Sequence, residues 1–115
     1  MPVLSLDRVL GNAIKGKKAL ILVDIEGAEF MMLQGAAQAL QNEPRPIWMM
    51  EVSTTEHQPE GISMNPNFEN TFEMFFDYGY SGYTAAAETE KIEITDVKDV
   101  MANRKRFTTH NFVFR

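Results

Sequence analysis

The sequence predicts an α/β domain, and three observations carry that expectation. Two short runs, ALILVDI (Ala19 to Ile25) and IWMMEVS (Ile47 to Ser53), are continuously apolar, as strands buried on both faces are. Between them, from about Gly27 to Gln41, Phe30, Leu33, Ala37 and Leu40 recur at the spacing of one helical face. A strand, a helix and a strand in that order form a right-handed crossover, so the two strands should lie parallel.

At the start, PVLSL (Pro2 to Leu6) reads as a short strand. DRVLGNAI follows as a helical segment, with Asp7 as N-cap and Val9, Leu10 and Ile14 as its apolar side. KGKK (Lys15 to Lys18) makes a turn into the first apolar run. Gly35 within the long helix costs about 1 kcal/mol against alanine, which places it where backbones approach closely. NEPRP (Asn42 to Pro46) ends that helix, because proline cannot continue it and disfavours helix just before itself.

After the second run, Thr54 to Pro66 is a polar stretch with Pro59, Gly61 and Pro66. A loop of that length in a compact domain more often serves a site than a plain connection. Asn67 should cap a helix through Tyr78 whose inward residues are Phe68, Phe72, Phe75 and Phe76, stopped by Gly79. YSGYTA and KIEIT are short strands, a turn of helix runs from about Asp96 to Asn103, and THNFVFR closes as an aromatic and β-branched strand. The methionines, mainly Met31, Met32, Met49, Met50 and Met74, fall on core-type positions.

Composition narrows the function. At 115 residues the chain is expected to be a single domain, 1–115, burying about two thirds of its unfolded surface. A formal charge of -5 argues against nucleic acid, whose phosphates call for a basic face. The absence of cysteine excludes disulfides, thiolate nucleophiles and zinc–thiolate centres. No apolar run approaches the roughly 20 residues that span a bilayer, and no signal-peptide pattern opens the sequence, so a soluble cytoplasmic chain is expected.

Three acids stand at the ends of the two apolar runs: Asp24 and Glu26 after the first, Glu51 after the second. If the strands are parallel neighbours, all three lie at the carboxyl rim, where open α/β sheets bind ligands. Asp24 and Glu26, two apart on extended backbone, would point the same way. The helix macrodipole accounts for Glu26 and Glu29 at about 0.3 to 1 kcal/mol each, but not for Asp24 or Glu51. His57, in the polar loop, could act as a base or orient a hydroxyl substrate. His110 alternates with Phe112 and Phe114 and reads as structural.

Asp24, Glu26, Glu51 and His57 would also make an oxygen-rich set for Mg²⁺ or Mn²⁺, although nothing in their spacing demands a metal. GNAIKGKK (Gly11 to Lys18) falls short of a phosphate-binding loop. Lys18 stands where the hydroxyl should be, and the strand follows the loop instead of preceding it. NRKRF (Asn103 to Phe107) reads as a solvated turn.

Read in order, LSLDRVL, LILVDIEGAEFMMLQGAAQAL, PIWMMEV, FEMFFDYGYSGY and HNFVF resemble the C-terminal half of FkbM-type methyltransferases. The D-x-E-G-x-E core, Asp24 to Glu29, with the LQGA that follows, is the most specific part. The resemblance implies part of a Rossmann-like, S-adenosylmethionine-dependent methyltransferase sheet. That sheet would be mostly parallel with helices on its faces, and its last strand, His110 to Arg115, would be antiparallel and inserted beside Ile47 to Ser53. It implies O-methyl transfer to a hydroxyl of a small molecule or sugar. Asp24 and Glu26 would be catalytic, Asp24 would also face the donor S-adenosylmethionine, and Glu51 and His57 would line the acceptor.

The family's glycine-rich donor turn is missing: the seven glycines include no G-x-G. The expectation is therefore an acceptor-side half, either a fragment or a shortened relative. The first apolar run would then be left as a bare sheet edge inviting self-association. Two other readings remain: a non-catalytic α/β association or ligand-binding module, and a metal-dependent hydrolase using the acidic rim.

Overall fold

The computed structural model describes residues 5–24, 28–52, 67–107 and 109–115. Helix α1 spans Leu6–Leu10 and strand β1 Leu20–Val23, followed by helices α2 (Glu29–Gln34) and α3 (Ala37–Leu40). Strand β2 (Ile47–Glu51) and helix α4 (Phe68–Asp77) come next. Strands β3 (Gly82–Thr84) and β4 (Lys91–Ile92), helix α5 (Ile94–Met101) and strand β5 (Asn111–Phe114) complete the order.

The five strands form one sheet in the order β1-β2-β5-β3-β4. β1 and β2 pair in parallel, Leu20 beside Ile47 and Val23 beside Met50, as the crossover requires. β5 lies antiparallel to β2, with Trp48 beside Phe114 and Glu51 beside Asn111. β3 is antiparallel to both β5 and β4. The sheet is therefore mixed, with one parallel pair among four, and the expectation of a mostly parallel sheet is corrected. The helical connections from β1 to β2 and from β2 through α4 to β3 keep those three strands in one direction. β5, inserted between β2 and β3, and β4, joined to β3 by a short turn, run against them, so the remaining neighbour pairs are antiparallel.

One face of the sheet carries the core. Trp48, Met50, Phe112, Phe114 and Val52 are buried beside Phe68, Phe72 and Phe75 of α4, Leu33 of α2, Leu40 of α3 and Val97 of α5. The other face is open among the described residues, where Leu20 and Leu22 are 61% and 68% exposed and Met49 is 40% exposed. This overturns two expectations: that Ala19 to Ile25 and Ile47 to Ser53 are buried on both faces, and that helices cover both sides of the sheet. A continuous apolar run does not record which of its faces finds a partner. Met31, 70% exposed, likewise leaves the core, as does Met49.

The expected helix from Gly27 to Gln41 is two helices with a break at Gly35 and Ala36. A Cβ at Gly35 would stand 2.7 Å from Ser5 Cβ and 3.2 Å from its Cα, so this is the close approach anticipated at that glycine. The backbone of Asp7 donates to Gly35 O at 2.9 Å, tying α1 across the break. Asp7 is not the N-cap of α1; Ser5 is, its hydroxyl accepting from Arg8 N at 3.2 Å. Ser5 and Leu6 therefore belong to a helix start and not to the expected strand, whose other residues lie outside the described range.

The Asp7 carboxylate accepts instead from Gln38 N and Ala39 N, both at 2.8 Å, and so caps α3 from a distant part of the chain. Asp7→Ala is expected to lower stability by about 1 kcal/mol and at most about 2, the ordinary loss for a helix cap. A thermal melt with an unchanged midpoint would contradict that role.

Asn67 does occupy the N-cap position of α4, accepting at its side-chain oxygen from Asn70 Nδ2. Gly79 ends the helix at φ +86°, a conformation only glycine adopts readily. Helix α5 begins two residues before the expected Asp96, because Glu93 and Asp96 cap it reciprocally. Asp96 also holds Lys105 at 2.9 Å.

Candidate functional site at the carboxyl rim

β1 and β2 end side by side. Val23 pairs with Met50, and one further step along both strands sets Asp24 beside Glu51. Glu51 in turn pairs with Asn111 at the start of β5. Alternation assigns faces: Trp48 and Met50 turn into the core, so Met49 and Glu51 turn to the open side, as do Leu22 and Asp24. Asp24, Glu51 and Asn111 thus form a short polar row across three strands, with neighbours about 4.8 Å apart in the pairing direction.

Asp24 is exposed and Glu51 half-buried. The sequence alone suggests a costly buried charge at Asp24; the structure removes that cost, because β1 is an edge strand with an open outer face. What the rim offers is two adjacent carboxylates, both acceptors, with a carboxamide beside them that donates and accepts. Such a row suits hydroxyl groups, and a neighbouring pair of carboxylates suits a polyol.

The remaining candidates divide. Glu26 and His57 lie outside the described residues, as does the polar loop that holds His57. His110 is exposed, and its backbone carbonyl accepts from Val52 N at 2.8 Å, extending the β2–β5 ladder past Glu51. Among the described residues no group of three or more histidine or acidic side chains is placed to hold a metal ion.

Two residues escape sequence reasoning. Asn111 joins the row only because β5 inserts beside β2, and its own face of the strand, shared with Thr109, Val113 and Arg115, carries no signal that singles it out. Glu29, assigned to the helix macrodipole, is 3% exposed at the first position of α2. It is a buried acid instead of a surface charge.

None of the described glycines stands at this rim. A methyl donor with a long nucleoside body requires backbone to approach closely, which is the work of glycine. The described glycines stand elsewhere: Gly11 and Gly16 in the turn before β1, Gly35 against Ser5, Gly79 beside Arg45 and Gly82 against Phe114. Gly27 and Gly61 fall outside the described residues.

A family model for the methyltransferase FkbM domain matches residues 1–81. No curated protein and no solved structure matches the chain significantly.

Proposed function

The chain belongs to the FkbM methyltransferase family, and from that premise we propose that it supplies the acceptor side of an S-adenosylmethionine-dependent O-methyltransferase. The acceptor is a hydroxyl of a sugar or another small polyol. The observation that carries this reading is the Asp24–Glu51–Asn111 row, set at one rim by the parallel β1–β2 pair and the antiparallel β5.

In this reading Asp24 and Glu51 accept hydrogen bonds from neighbouring hydroxyls and so fix one oxygen toward the rim. One of the two carboxylates takes the proton as that oxygen becomes a nucleophile, and Asn111 turns the ring by bonding a further hydroxyl. Glu26 and His57 complete the acceptor side in the role the resemblance gives them. The donor would supply an activated methyl group, and the described residues build no cradle for it.

The test is binding at the rim. A ¹⁵N-labelled chain titrated with simple hexoses and with inositol should show amide shifts at Asp24, Glu51 and Asn111. Asp24→Asn and Glu51→Gln should each weaken the interaction by about tenfold or more, since a hydrogen bond to a charged group contributes roughly 1.5–3 kcal/mol. S-adenosylmethionine should shift no comparable set. Polyols that leave the rim resonances untouched would sink the proposal and leave a non-catalytic module as the better account.

A further inference from the structure

The two outer strands of the sheet are finished differently. β4 is only two residues long and carries exposed Lys91, a length and a charge that discourage further pairing. β1 has neither device: Leu20–Val23 contains no charge, no proline and no bulge. The side of β1 that pairs with no strand among the described residues can be read from the ladder. Ile47 N donates to Ala19 O at 2.9 Å, so Ala19, Ile21 and Val23 turn their main-chain groups toward β2. The N–H and C=O groups of Leu20 and Leu22 therefore point outward from the sheet.

We propose that two copies of this chain pair antiparallel through β1, with Ile21 opposite Ile21 on a twofold axis, to give one ten-stranded sheet. An antiparallel pair exchanges hydrogen bonds only between residues that both point outward, which here allows even-numbered residues opposite even-numbered ones. With Ile21 on the axis, Leu20 of each copy faces Leu22 of the other, and the two exposed leucines cover each other on the open face.

The same register sets Lys18 of each copy opposite Asp24 of the other. Charge complementarity thus closes both ends of the pairing. A slip of two residues in either direction replaces these ion pairs with leucine against Asp24 or leucine against Lys18. A parallel in-register pairing would stack Asp24 on Asp24. Lys18 is already held at the start of β1, its ammonium donating to Arg45 O at 2.6 Å, and two of its three donors remain for the second copy. The twofold arrangement is self-complementary and closed, so it ends at a dimer.

Sedimentation velocity over a hundredfold range of concentration should show a monomer–dimer equilibrium. Leu22→Pro removes a single outward N–H and leaves the β2 ladder intact, so it should abolish the dimer while preserving circular dichroism. Lys18→Asp and Asp24→Lys should each weaken association by about tenfold, from two lost ion pairs and new like-charge contacts, and the double exchange should restore it. A wild-type chain that sediments only as monomer overturns the pairing. A dimer indifferent to the charge reversals overturns the register, and that arm stands even if the proline variant does not fold.

Discussion

Phe75→Ala is expected to cost about 3–5 kcal/mol, the upper range for removing a buried aromatic side chain. Phe75 is fully buried on α4 and touches two strands and the turn before β3. Its ring stacks on Phe114 of β5 at 3.9 Å between centroids and meets Trp48 of β2 edge-on at 5.6 Å. Tyr80, just before β3, closes the cluster at 5.4 Å. Removing the ring takes away the contact that holds the helix to both central strands at once, and their close packing leaves no neighbour able to fill the space. Against a total of about 5–15 kcal/mol for a domain, the variant should lose a large share of its stability. Trp48, the sole tryptophan, reports this directly: its fluorescence in a urea titration should show a midpoint far below wild type. An unchanged midpoint would mean that α4 does not anchor the sheet.

Tyr80→Phe should be the second most damaging change, for a polar reason. The Tyr80 hydroxyl donates to Leu40 O at 2.9 Å and accepts from Trp48 Nε1 at 3.2 Å, both bonds being buried. Phenylalanine fills the same space but leaves a carbonyl and an indole N–H without this partner, at about 1–3 kcal/mol for each. Burial also raises the Tyr80 pKa above its ordinary 10.0, outweighing the lowering by Trp48 and by Arg45. A raised folded-state pKa gives stability that is whole below the unfolded value and is lost as pH climbs through the folded one. Wild type should therefore lose stability steadily above about pH 10, while the variant, already weakened at neutral pH, loses less over the same interval. Parallel curves for the two proteins would refute the linkage.

How far the sequence revealed this molecule depended on which physical rule each residue obeys. The crossover from β1 to β2 followed from three- and four-residue spacing at Leu33 and Leu40 between two apolar runs. The inward ring face of α4 followed from Phe68, Phe72 and Phe75. Local propensity could not separate a strand covered on both faces from one covered on a single face, so Leu20, Leu22 and Met49 were expected inside. The split at Gly35 depends on Ser5 crossing there, a contact no window of sequence contains. The start of α5 was missed because glutamate is an unusual cap and its partner Asp96 resembles a helix start. At the rim, Asp24 and Glu51 were legible as strand-end acids; the antiparallel insertion of β5 beside β2 followed from the family resemblance, but Asn111 at its start was not singled out.

That insertion has a consequence for how the protein is made. The strand order β1-β2-β5-β3-β4 puts the segment synthesised last of the five in the middle. Until Phe112 and Phe114 leave the ribosome, the β1–β2 and β3–β4 pairs have no common neighbour, and Trp48 must wait for Phe114 across most of the chain. Such distant pairing slows folding. The nascent chain therefore passes through a stage in which its aromatic side chains have no sheet to rest on, a period in which chaperones would be expected to bind it.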